Sequence, residues 1–207
     1  MARSRRRELQ RPQSSLLGTS LETARLLLRS PRPSDIDTIY ELARGRPIHR
    51  FLVLPFPYRK RHAAAWVSKA RQENRKGVSY NAVILRRDDR TLLGVTSLLK
   101  IHPVHRRAEV GYWLGKSHWR RGYAREAVAA LVGFAQRRLR LRKVYAHTMV
   151  GNAPSERLLR ACGFCEEGLL FSEMKAKGRW RDLKRWARIS PRTSPRIPRS
   201  TGAPRVT

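Results

Sequence analysis

Between Glu109 and Phe164 the chain reads as strand, basic glycine-containing loop, amphipathic helix, strand and a short second helix ended by a glycine. A strand–helix–strand unit must cross over within a sheet, so this segment dictates a parallel pairing inside whatever surrounds it. Trp119-Arg120-Arg121-Gly122-Tyr123-Ala124 precedes a helical pattern in which Ala124, Ala127, Val128, Leu131, Phe134 and Ala135 form one apolar face. The first amides of that helix have no partner within it, and the macrodipole makes that end positive. Gly122 lacks the Cβ that would hold a ligand off the backbone, Ala124 is nearly as small, and Arg120 and Arg121 add charge. Such a loop suits a phosphate chain, and Glu109, on the strand leading into it, supplies a proton acceptor. The combination points to an enzyme acting on a phosphate-bearing cofactor.

The flanking sequence is organised simply. Residues 1–18 and 190–207 are basic, Pro/Ser-containing and without periodicity, and read as mobile tails around one domain, 19–189. Ala24 to Arg29 reads as a strand, and Ser34 caps a helix over Asp35 to Arg44. Phe51 to Tyr58 is a proline-broken loop, and Arg59 to Lys76 a second helix. Tyr80 to Arg86 and Leu92 to Lys100 form a hairpin through Asp88-Asp89. Phe164 to Phe171 and Leu183 to Ile189 form a closing pair around a polar excursion, Ser172 to Asp182. A crossover among antiparallel hairpins gives an α/β (α+β) fold with a mixed sheet.

Charge is the outstanding compositional feature: 46 basic against 15 acidic residues in 207, a formal +31 at pH 7. A field of that size attracts polyanions and coenzyme phosphates and repels polycationic substrates. Salt-dependent contact with RNA or the ribosome is one reading. The other is that arginine, outnumbering lysine roughly four to one, reflects coding bias and is simply solvated. No apolar run approaches a membrane span and the basic start lacks the apolar segment of a secretory signal, so a cytoplasmic location is expected, with an organelle transit peptide the lesser alternative. Cys162 and Cys165 follow a helix rather than opening one and read as packing residues. His102-Pro103-Val104-His105 is a loop without an acidic cluster, and no metal site is expected.

Taken together, the segments resemble the GNAT acetyltransferase superfamily, and within it the RimJ/RimL-type branch that acetylates N-terminal amines of ribosomal proteins. The resemblance lies in Glu22–Arg29, Ala108–Leu114, Trp119–Ala124 and Asn152–Ser155 through Cys162-Gly163-Phe164, and covers about Leu21 to Ile189. It implies a mostly antiparallel sheet flanked by helices on both faces, and acetyl-coenzyme A as cosubstrate. It places the coenzyme on Tyr112, Trp113 and Leu114, on the loop Trp119, Arg120, Arg121, Gly122, Tyr123 and Ala124, and on Asn152 and Ser155. The superfamily's loop begins with Gln or Arg; Trp119 departs from that and is similar to the branch. Backbone amides carry most phosphate binding, so the departure costs little.

The chemistry sets the remaining roles. A protonated amine cannot attack a thioester, so a base must take its proton, and Glu109 matches the branch's glutamate; alternatively it merely pairs with a neighbouring arginine. A free strand amide near Tyr112 to Leu114 would hold the oxyanion of the tetrahedral intermediate. Ser155, or else Tyr123, would serve the thiolate leaving group, although Asn152, Pro154 and Ser155 also form a helix-start cluster. His147 lies on a strand running toward the cleft, as a substrate contact or a buried histidine. Phe51, Phe56, Tyr58 and Trp180 either wall a peptide slot or fill core. Three functions stay open: acetylation of a protein N-terminal amine, acetylation of a small amine such as an antibiotic or polyamine, or a non-enzymatic RNA- or ribosome-associated module.

Overall fold

The computed structural model describes residues 14–190; residues 1–13 and 191–207, most of the two expected tails, lie outside the described residues. The chain forms β1 (Ser20–Glu22), β2 (Leu26–Arg29), α1 (Ile36–Ala43), α2 (Lys60–Lys76), β3 (Tyr80–Arg86), β4 (Leu92–His102), β5 (Arg107–Leu114), α3 (Tyr123–Arg137), β6 (Lys143–Met149), α4 (Ala153–Ala161), β7 (Cys165–Ala176) and β8 (Arg179–Ile189). The strands make one sheet in the order β1-β2-β3-β4-β5-β6-β8-β7. Every pairing is antiparallel except β5 with β6, the crossover made by α3.

β3 is apolar almost throughout because both sheet faces are covered. Tyr80, Ala82 and Ile84 pack with Ala127, Val128, Leu131 and Phe134 of α3. Val83 and Leu85 point the other way, onto Ile39 and Ala43 of α1 and Ala63 and Val67 of α2. The alternation of β3 and the apolar stripe of α3 therefore set the layer order: helix pair, sheet, helix. The expected α/β class, mostly antiparallel with helices on both faces, is the observed one.

Three local expectations are corrected. Ser34 does not cap a helix; a 3-10 turn spans Pro33–Asp35, and the buried Asp35 accepts the Arg32 amide at 2.7 Å and pairs with Arg29 at 2.8 Å. Arginine on β2 recruits that carboxylate away from the helix end. The polar excursion Ser172 to Asp182 does not interrupt the closing pair, because β7 and β8 run as one long hairpin through Lys177-Gly178. Leu16, within the expected tail, is 8% exposed, sits in the core cluster with α3 and donates its amide to Asn74. Among the described residues, no helix is long and apolar enough to cross a membrane.

Candidate active site

The site begins where the sheet comes apart. β5 and β6 pair only over Arg107–Glu109 and Lys143–Tyr145, although β6 stays paired with β8 as far as Met149. Beyond Glu109 one edge of β5 is therefore open. The Gly115 amide donates to Leu93 at 2.9 Å, directly opposite in the register that pairs Gly94 with Leu114. Antiparallel bonding alternates, so Trp113 and Gly111 face β4 while the amides of Tyr112 and Leu114 face the gap. The Leu114 carbonyl on that edge is taken by the indole of Trp119 at 2.7 Å. Trp119 is thus a staple between loop and strand, a role its place in the motif did not reveal.

The loop itself turns sharply. Arg120 (φ 61°) and Gly122 (φ 79°) both adopt left-handed backbone, and Gly122 is the N-cap of α3 with no side chain capping it. The first intrahelical bond at this end runs from Glu126 to the Gly122 carbonyl, so the amides of Tyr123, Ala124 and Arg125 point out, unpaired among the described residues. The guanidiniums of Arg120 and Arg121 have no partner among the described residues, and both residues are exposed. A Cβ on Gly122 would approach the Arg25 guanidinium at 3.3 Å. The free amides and unpaired arginines fit a diphosphate, and the open β5 edge fits an amide-containing arm.

Arg25 and Glu126 hold this arrangement and were not singled out from sequence. Glu126 accepts from the Thr23 hydroxyl at 2.6 Å, the Arg25 amide at 3.0 Å and the Arg25 guanidinium at 2.7 Å. The same guanidinium reaches the Arg121 carbonyl at 3.1 Å and lies over the Tyr123 ring at 4.8 Å. The β1–β2 turn therefore fixes the start of α3. Burial raises the Glu126 pKa, but the hydrogen bonds from Thr23 and Arg25 outweigh it and the net direction is down. A depressed carboxylate stabilises the fold above its unfolded pKa, about 4.3, and loses that contribution as pH falls through the folded value. Glu126→Gln is therefore expected to melt below the parent at pH 7 and to converge with it as the pH falls through the folded value, in thermal scans.

Glu109 lies at the point of divergence. It accepts from His147 Nδ1 at 2.9 Å and from Lys100 Nζ at 3.1 Å, with its side chain 17% exposed. Lys100 is aimed there by a bulge: the β4–β5 register shifts between Leu99 and His102, and Lys100 has φ 52°. Burial raises the Glu109 pKa, yet the hydrogen bonds and charges of His147 and Lys100 prevail and it falls below the ordinary carboxylate range. The pairing partners are thus a histidine and a lysine rather than an arginine. An ionised Glu109 can only accept, so His147 Nδ1 carries the hydrogen of that bond, and in a neutral ring Nε2 is then the acceptor.

On the far side of the gap, Asn152 is the N-cap of α4 and accepts the Ser155 amide at 3.4 Å. Capping is settled in favour of Asn152, which leaves the Ser155 hydroxyl free for Tyr112, 2.7 Å away. Tyr123 is buried under Arg25 with its hydroxyl toward Arg86. Trp113 packs with the α1–α2 cluster, so its side chain serves core while its backbone borders the gap. Of the aromatics offered as walls, Tyr58 is buried and Phe51 packs against the cluster of Met149, Ala176 and Leu183, whereas Phe56 and Trp180 are 57% and 63% exposed. Lys177, at the β7–β8 turn, donates to the His49 carbonyl at 2.6 Å.

An acetyltransferase (GNAT) domain matches residues 25–165. The uncharacterised N-acetyltransferase YoaA of Bacillus subtilis is 30% identical over 83% of this chain and 97% of its own length. The ribosomal-protein-serine acetyltransferase of Escherichia coli is 30% identical over 56% of this chain and 64% of that protein. Among solved structures, the spermidine N-acetyltransferase of Vibrio cholerae in complex with CoA and spermine has 27% identity and a TM-score of 0.71, covering 81% of this chain and 96% of that one. The parted strands, the exposed amides at the start of α3 and these matches agree: the chain belongs to the GNAT family of N-acetyltransferases.

Proposed function

We propose that this enzyme acetylates the N-terminal amine of a protein, of the kind found on ribosomal proteins, using acetyl-coenzyme A. The observation that carries the site assignment is the opening of β5 from β6 immediately after Glu109. Gly122, Tyr123, Ala124, Arg120 and Arg121 would hold the diphosphate, and the β5 edge at Tyr112 to Leu114 with Asn152 the arm. When bound, acetyl-coenzyme A supplies an activated acyl carbon and a thiol leaving group. The protein's own part is to position and deprotonate the acceptor. His147 Nε2 takes the amine proton, and Glu109, bonded to Nδ1, fixes the tautomer and balances the imidazolium. Lys100 and His147 hold the Glu109 pKa down, which weakens the carboxylate as a base. The amide of Tyr112 or Leu114 donates to the acyl oxygen.

Charge around the site supports this choice of acceptor. Lys100 sits on the carboxylate at the mouth, and Arg185 lies over the Tyr145 ring 4.9 Å away, beside His147. A polyamine brings several positive charges into these surroundings, whereas a peptide N-terminus brings one. The named activity of the Escherichia coli relative supports a protein acceptor; that of the Vibrio cholerae structure supports a polyamine. Calorimetry with acetyl-coenzyme A, followed by mass spectrometry of a peptide mixture and of spermidine, separates them. Heat of binding and N-terminal acetylation of peptides are expected. Acetylation of spermidine alone rejects the acceptor, and absence of binding heat rejects the site.

A further inference from the structure

The bond between Tyr112 and Ser155 ties the two sides of the gap, from residues 43 positions apart, one on β5 and the other in the first turn of α4. Neither hydroxyl has another partner among the described residues, so its direction decides what Ser155 can offer the site. A phenol is a stronger donor than an aliphatic alcohol, and a serine oxygen has two lone pairs with which to accept. Burial pushes the Tyr112 phenol up to about 12, so it keeps its hydrogen across the neutral range. The partly buried ring, packed against the α3 core cluster, confines the phenol to this one contact. Ser155, held at its amide by Asn152, is confined as well.

We propose that Tyr112 is a positioning residue: its phenol donates to Ser155 Oγ, leaving the serine hydrogen directed at the sulfur of the coenzyme. The inference rests on the acetyl-transfer reading above. As the acyl–sulfur bond breaks, its electron pair stays on sulfur, which leaves as a thiolate. The Ser155 O–H donates to that thiolate, and the sulfur takes its proton from water once released. No proton leaves Tyr112, whose raised pKa disfavours a buried phenolate. Its effect is to fix the serine rotor and to polarise the serine O–H, since a hydroxyl that accepts a hydrogen bond donates more strongly.

The test is a titration of the thiol of bound coenzyme A, read from the ultraviolet absorbance of the thiolate. Parent, Tyr112→Phe, Ser155→Ala and the double variant are compared at saturating coenzyme A. A thiolate that loses a donor is destabilised, so the bound-thiol pKa is expected to rise by about one unit in Ser155→Ala. It is expected to rise by a smaller amount in Tyr112→Phe, and no further in the double variant. 3-Fluorotyrosine at position 112, with the same ring and a stronger donor, shifts the value the opposite way. That outcome supports the proposal even if the Phe variant folds poorly. A rise in Ser155→Ala with no change in Tyr112→Phe or with fluorotyrosine overturns the role of Tyr112 alone. A parent that binds no coenzyme A overturns the acetyl-transfer reading, and this inference falls with it.

Discussion

Glu109→Gln and His147→Ala are each expected to lower kcat for amine acetylation by about 10²-fold or more, the scale of a lost general base. The KM for acetyl-coenzyme A should stay within a factor of about two, because neither side chain lies on the loop or the open β5 edge. The double variant should be little worse than either single one, since a carboxylate that acts by orienting an imidazole has nothing left to do once the ring is gone. Steady-state rates against a peptide N-terminus check this. A tenfold or smaller loss in His147→Ala, with the full loss retained in Glu109→Gln, would return the base to Glu109 itself. Stability supplies an independent sign. The folded Glu109 pKa is depressed, so its ion pair with Lys100 and its hydrogen bond from His147 stabilise the fold above the unfolded value near 4.3 and fade on acidification through the folded value. Glu109→Gln should therefore lose melting temperature at neutral pH and approach the parent as the pH falls through the folded value.

Trp186→Ala should be the most damaging single change to stability, at about 3–5 kcal/mol. The indole is fully buried, donates to the Thr148 hydroxyl at 2.9 Å and lies under the Arg160 guanidinium at 4.8 Å. It therefore joins β8 to β6 and to α4, the helix that carries Ser155. In a domain of this size the melting temperature should fall by on the order of 10 °C. Trp186→Phe keeps most of the packing but leaves Thr148, itself 3% exposed, without this donor, at a cost of about 1–3 kcal/mol. Thermal scans of the two variants separate cavity from hydrogen bond. A Phe variant as unstable as the Ala variant would put the effect in the polar contact.

The crossover and its loop were legible because they depend on near neighbours in sequence. Helical spacing exposes the α3 stripe, and a glycine where left-handed backbone is needed marks the turn at Gly122. The two central hairpin strands were legible for the same reason, since β3 and β4 are apolar runs separated by an acidic turn. The β7–β8 extension was not, because β7 is an edge strand exposed along most of its length and carries no alternation to read. Nor was Leu16, an isolated apolar residue whose burial depends on where Asn74 places its carbonyl.

For the site, the chain by itself determined which groups are present: Glu109, Tyr112, the Gly122 loop, His147, Asn152 and Ser155 all stand in recognisable segments. Which of them act together was decided by tertiary structure. Glu109 meets His147 and Lys100, Tyr112 meets Ser155, and Arg25 meets Glu126, across 38, 9, 43 and 101 positions of sequence respectively. Local pattern carries information about backbone periodicity and capping, which neighbours impose. Hydrogen bonds between side chains on different strands depend on register, on a bulge at Lys100 and on where two strands part, and those are properties of the folded sheet.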